Sequence, residues 1–188
     1  MKKFTLILAA LIAFQSGLMA QSKTQTVDAA NSSIHWLGKK VTGQHEGFIQ
    51  LKSGALEMEN GQLTGGAFVV DMATLYSTDL QGESKANLEG HLKSDDFFGV
   101  AQHPEATFKI KNATKKSEGV YAINGEFTIK GITNPASFDM TVGENSATAK
   151  VVIDRSKFNI RYGSSSFFDN LGDKVIYDDF ELDVTLKL

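Results

Sequence analysis

The chain has 188 residues, of which 41% are apolar, 22% charged and 10% aromatic, with a formal net charge of −3. This is a globular composition, too apolar for a disordered chain, and it lacks the strong positive field that nucleic acid binding requires. No cysteine is present, which excludes disulfides, thiolate metal sites and cysteine nucleophiles.

In chain order, the first twenty residues have the pattern of a secretory signal peptide. Lys2 and Lys3 precede an apolar run from Phe4 to Phe14, Ser16 and Gly17 break it, and Ala20 is a small residue before Gln21. The run is shorter than the roughly 20 residues of a spanning helix. Residues 1–20 are thus expected to be a removed export signal and residues 21–188 a single β-barrel domain. Cleavage removes two lysines and no acid, leaving a more acidic chain. No second long apolar run follows, so no stable membrane insertion is expected. Export without cysteine points to a bacterial periplasm or to secretion.

The rest alternates with period two. At the C-terminus Phe180, Leu182, Val184, Leu186 and Leu188 alternate with Glu181, Asp183, Thr185 and Lys187. One face of such a strand belongs in a core and the other in water. The same pattern predicts strands at 32–41, 44–52, 54–59, 62–72, 105–113, 119–130, 136–143, 146–154 and about 175–188. Turn signals separate them, among them Asn60-Gly61, Ser117-Glu-Gly119, Gly131 to Pro135 and Gly143 to Ser146. Short connections imply an antiparallel meander. Residues 83–92 lack alternation and bring Leu88, His91 and Leu92 onto one helical face, so a short helix is expected there. A loop with Asp95-Asp96-Phe97-Phe98 follows, and a second irregular stretch covers 159–174.

Eight or nine amphipathic antiparallel strands can close into a barrel and remove their exposed edges. At this strand number the interior is either filled or holds one small ligand. The chain has 13 phenylalanines, many on the apolar parity. Trp36, Phe68, Phe108, Phe127, Phe138, Phe158 and Phe180 are the candidate wall of an internal apolar tunnel. Gly125, Ala147 and Ala149 share the inward parity and would leave it room. A long chain suits such a space, since each buried CH₂ contributes about 0.8 kcal/mol.

Catalytic and metal motifs are missing. There is no G-x-S-x-G elbow, no P-loop, and no paired-histidine ligand spacing among His35, His45, His91 and His103. No metal, nucleotide or other cofactor is expected. His91 on the helix face, with Asp71 and Arg155 at strand ends, could meet a ligand head group or form structural pairs.

Several segments together resemble the YceI-like family. They are Val41-Thr-Gly-Gln-His45-Glu-Gly47, Leu63 to Met72, His91 to Phe98 with Pro104 and Ala106-Thr-Phe108, Gly125 to Thr133, Ile153-Asp-Arg155, and Phe158-Asn-Ile160. The resemblance implies a lipocalin-like antiparallel barrel with a short helix. It implies an exported, non-enzymatic protein holding a long isoprenoid or similar amphiphilic lipid. His45, Asp71, His91 and Arg155 enter as positions of these motifs. The expected partner is a long-chain amphiphilic lipid, with polyprenyl chains, isoprenoid quinones and fatty amides all compatible. An apolar barrel mouth would also allow a homodimer. Two rival readings are a dry barrel acting as an interaction module, and an enzyme on such lipids with His91 or His45 as base.

Overall fold

The computed structural model describes residues 21–188, so the expected export signal at 1–20 lies outside the described residues. The strands are β1 (Ser22–Thr26), β2 (Asp28–Lys40), β3 (Gly43–Glu59), β4 (Gln62–Ser77), β5 (Glu105–Ser117), β6 (Val120–Ile129), β7 (Ile132–Val142), β8 (Ser146–Asp154) and β9 (Ile176–Lys187). The helix α1 (Gly82–Lys93) joins β4 to β5. All the pairings are antiparallel. Running β3-β2-β9-β8-β7-β6-β5-β4 and back to β3, eight strands close a barrel, and β1 is an extra strand beside the far half of β3.

β2, β4 and β5 run longer than the sequence pattern, β2 from Asp28 and β4 and β5 to Ser77 and Ser117, and three further elements differ. Residues 44–59 form one strand, β3, instead of two. Register slips by one between Leu51 and Ser53 against β4, so the expected break at Ser53 is a bulge inside a continuous strand. β1 has no signal in the sequence, because Ser-Lys-Thr-Gln-Thr carries no apolar alternation; it is held by pairing from Ser22↔Glu59 to Thr26↔Ala55. β7 starts at Ile132, not 136. Lys130 and Gly131, at φ 51° and 74°, form a two-residue turn like that of Asn60 and Gly61, at 51° and 77°. Positive φ at both central positions is the requirement of the type I′ hairpin. Pro135 is then inside a strand, on the stretch of β7 that has no β8 partner, since only Met140–Val142 pair there. The 3-10 turn Arg155–Phe158 stands beside that stretch, where Asn134 Nδ2 donates to the Lys157 carbonyl at 2.8 Å.

The interior has two zones. Toward β1 it is filled by Val27, Leu56, Leu63, Ile110, Tyr121, Ile123 and Ala147, all buried. Toward α1 the walls are aromatic, and three of the rings lie over glycines. Trp36 faces Gly47 and Phe68 faces Gly54 as direct cross-strand partners, and Phe108 leans over Gly125, one step diagonally. A Cβ on Gly54 would come within 2.6 Å of the Phe68 ring, and one on Gly125 within 2.5 Å of both the Phe108 ring and the Lys109 carbonyl oxygen. Inward glycines thus make room for rings, correcting the expectation that Gly125 leaves open space. Ala147 likewise belongs to the filled zone.

Gly47 is the most constrained of these. An added Cβ would meet the Tyr76 carbonyl oxygen at 1.9 Å and the Trp36 ring at 2.8 Å, whereas at Gly38 nothing lies within 4 Å. Gly47→Ala is expected to lower unfolding free energy by about 1–3 kcal/mol, the cost of overpacking. Gly38→Ala should stay within about 0.5 kcal/mol of the parent. Urea denaturation of both variants checks this.

Candidate functional site

The α1 half of the barrel encloses a cavity of about 180 Å³. Trp36, Phe68, Phe108, Phe127, Phe138 and Phe180 all face it. Phe108 is the hub of the aromatic group, with ring centroids 4.4 Å from Phe127, 5.2 Å from Phe138 and 6.5 Å from Phe68. Aliphatic side chains, including Ile34, Ile49, Leu51, Val151 and Leu182, complete the wall. Phe158, expected on the same wall, does not face the cavity. The chain leaves β8 at Asp154 and enters the 3-10 turn, so strand parity no longer applies, and Phe158 is buried in the core outside it.

The end of the cavity is covered by residues whose role strand parity does not reveal. Leu92 at the end of α1 and Phe97 and Phe98 of the following loop face inward. The two rings pack edge-on at 5.1 Å, and Phe98 meets Phe180 at 6.4 Å. Lys130, in the β6–β7 turn, donates to the carbonyls of Asp95 and Phe97 at 2.7 and 2.8 Å and ties this cover to the barrel rim. The available signal is an adjacent aromatic pair in a loop otherwise rich in polar residues.

Arg155 is 2% exposed and borders the cavity. Its Nη1 donates to the carbonyls of Ile160 and Tyr162, both at 2.9 Å. Nη2 donates to Ile176 at 2.9 Å and Nε to Tyr177 at 3.2 Å. Asp178 Oδ1 lies 3.3 Å from Nη2, and the Phe97 ring 5.5 Å from the guanidinium carbon. Burial lowers the Arg155 pKa, against the opposing pull of Asp178 and Asp154. With its donors so engaged, Arg155 clamps residues 160–162 to 176–178 and offers nothing free to a head group.

The other polar candidates are not on the cavity wall. Asp71 shapes a bulge in which four β4 residues, 72–75, oppose Ile49 alone; its carboxylate accepts from the Ala73 amide at 3.0 Å and its carbonyl from Thr74 Oγ1 at 2.6 Å. His91 packs edge-on against Tyr162 at 4.3 Å and Phe97 at 5.8 Å, and its buried Nε2 has no partner. His45 Nδ1 lies 2.7 Å from Asp79 Oδ2. The other Asp79 oxygen accepts from Ser77 Oγ at 2.7 Å and the Glu46 amide at 3.2 Å. Burial works against the Asp79 charge, but hydrogen bonds from Ser77, His45 and Glu46 outweigh it and hold the carboxyl at about 2. Asp79 is not among the sequence candidates, because its separation from His45 along the chain hides the pair. Among the described residues no cluster of three metal-ligating side chains forms.

Arg155→Met leaves the half-buried Asp178 without its cation and four carbonyls without their donor. It is expected to cost about 3–5 kcal/mol, as removal of one partner of a buried pair does, measured by denaturant unfolding. The Asp79 carboxyl titrates lower in the folded chain than its unfolded value near 3.9. Its stabilising contribution is therefore complete above about pH 4 and is lost as pH falls toward 2. The parent should lose more stability over that interval than Asp79→Asn, as thermal melts at stepped pH would read out.

The model of the YceI-like domain family matches residues 25–188. UPF0312 protein SA2479 of Staphylococcus aureus strain N315 is 32% identical over 120 residues, covering 61% of this chain and 63% of that relative. UPF0312 protein SAB2563 of the bovine strain RF122 is 29% identical over 156 residues, 74% of this chain and 84% of its own. Among solved structures, Burkholderia cenocepacia BcnA superposes with a TM-score of 0.69 at 20% identity, over 86% of this chain and 99% of that one. A polyisoprenoid binding domain from Saccharophagus degradans gives 0.59 at 11% identity, over 86% and 95%. The solved structures share the barrel, the family model spans nearly all the described residues, and the chain belongs to the YceI-like domain family.

Proposed function

We propose that the protein is an exported, non-catalytic carrier that shields the tail of one long-chain isoprenoid or similar amphiphilic lipid inside the barrel. The observation that carries this reading is the cavity itself: a hollow with an almost wholly apolar wall, covered at one end by aromatic side chains. At roughly 30 Å³ per methylene-sized group, 180 Å³ takes a tail segment of about six units. Burial at about 0.8 kcal/mol per unit contributes roughly 5 kcal/mol before ordering costs. A longer polyprenyl chain would extend beyond the cavity. The fold shared with a polyisoprenoid binding domain supports the ligand class. The basic and apolar pattern of residues 1–20 supports export, to a periplasm or beyond it.

The cavity favours a carrier over a dry interaction module, whose barrel would be filled. Of the residues proposed as a base, neither His45 nor His91 borders the cavity, which is why the reading is non-catalytic. Trp36 is the single tryptophan and faces the cavity, so it reports occupancy directly. Quenching of its fluorescence by 12-bromododecan-1-ol is expected to saturate at one equivalent. Ala149, on β8, also faces the cavity. Ala149→Phe is expected to abolish quenching while leaving stability unchanged or higher. In a filled barrel the same change would cost about 1–3 kcal/mol. An unquenched parent, or a destabilised variant, would refute the carrier reading.

A further inference from the structure

The barrel wall is interrupted between β2 and β3. Their ladder ends at Ile34↔Ile49, and the next bond along the same seam is Val27 N to the Gly54 carbonyl at 2.9 Å. Six residues, 28–33, there pass four, 50–53, without pairing. On the other side of β2, Asp28 pairs Lys187 and Ser33 pairs Thr185, so residues 29–32 bulge away from β9 as well. The bulge is built and not frayed. Asp28 accepts from the Asn31 amide at 3.2 Å and from Asn31 Nδ2 at 2.7 Å, and Ser32 Oγ donates to the Asp28 carbonyl at 2.7 Å. β3 is loosened on its far side too, where β4 bulges over residues 72–75 opposite Ile49.

Over this gap lies an open groove of about 620 Å³. Ile34, Ile49 and Leu51 line both the groove and the internal cavity, so the wall between them is one residue thick. The groove differs from the cavity in chemistry. Among the described residues, the side chains of Ser33, Gln50 and Tyr76 border it with no hydrogen-bond partner, and the Phe48 and Tyr76 rings, 6.0 Å apart, form an apolar floor. Among the described residues no charged side chain lines it. Of the basic side chains around it, Lys52, in the stretch of β3 unpaired with β2, lies 2.6 Å from Glu105, and Lys85, over the Tyr76 ring, lies 3.7 Å from Glu89.

We propose that the gap between β2 and β3 is the entrance to the cavity, and that the groove outside it holds the ligand's head group, which is uncharged and hydrogen-bonding. The tail passes between Ile34, Ile49 and Leu51. Ser33, Gln50 and Tyr76 supply hydroxyl and amide partners to an alcohol, amide or carbonyl head. A phosphate or carboxylate would find no cation on the lining. This rests on the carrier reading and adds the route and the class of head group.

The chain has no cysteine, so a single introduced thiol is labelled uniquely. Three variants of the full-length protein, each capped with a bulky maleimide-linked polyethylene glycol, separate the routes. Ser33→Cys lies at the gap, Phe168→Cys on the exposed loop of the α1 end, and Val152→Cys on the outer face of β8. The readout is the rate and extent of Trp36 quenching by 12-bromododecan-1-ol and by 12-bromododecanoic acid at neutral pH. The cap at position 33 is expected to slow uptake by about tenfold or more, with the other two matching the unlabelled parent. The alcohol is expected to bind at least about tenfold more tightly than the carboxylate. Slowing by the cap at 168 alone, or equal binding of acid and alcohol, overturns the proposal while the carrier reading stands. Absence of quenching in the unlabelled parent overturns both.

Discussion

The structure depends on one constraint: the interior of a closed eight-stranded sheet is just large enough for inward side chains to fill, so their sizes decide whether it is solid or hollow. Here both outcomes occur in the same barrel. Near β1, Leu56, Leu63, Ile110 and Ile123 reach across and leave no usable space. Near α1 the rings of Trp36, Phe68 and Phe108 lie down over glycines on neighbouring strands. A ring laid against the wall covers backbone without crossing the barrel. The glycines that permit this are therefore what keeps the centre open.

An open centre moves the problem of stability to the ends. Side chains that border a hollow have no partner atoms on that side, so the barrel must gain its packing elsewhere. One end is closed by aliphatic packing. The other is closed by Leu92, Phe97 and Phe98, a cover tethered by Lys130 to the rim. Arg155 fastens the long connection into β9 by four carbonyls and one carboxylate. Such a buried cation is retained because its donors are engaged by four carbonyls and its charge is paired with a carboxylate.

Strand parity makes the barrel legible. Phe180 to Leu188 alternates so strictly that its inward face is readable residue by residue, and six of the seven aromatic side chains assigned by that rule face the cavity. The rule fails where the backbone stops being a strand. Phe158 follows Asp154 into a 3-10 turn and turns away; Phe97 and Phe98 sit in a loop to which no parity applies. β1 is invisible because its residues are polar on both faces and its pairing partner, Ala55 to Glu59, is far along the chain. The Asp79 partner of His45 is hidden for the same reason, since contact across strands leaves no local spacing in the chain.

The polar residues divide into two populations with different work. Asp71, Asp79 and Arg155 bond to backbone groups or to neighbouring side chains and fix bulges, turns and the long loop. Their hydrogen-bonding capacity is largely used within the fold. Ser33, Gln50 and Tyr76 instead border a groove with theirs free, at the place where two bulges loosen β3 from both neighbours. Motif reading singles out the first population, because fold-setting residues stand at strand ends and turns. The head-group site we propose needs only the second, and those residues are ordinary in sequence: a serine, a glutamine and a tyrosine on outward strand positions. Their meaning comes from the missing rungs beside them, which the chain's local pattern does not record.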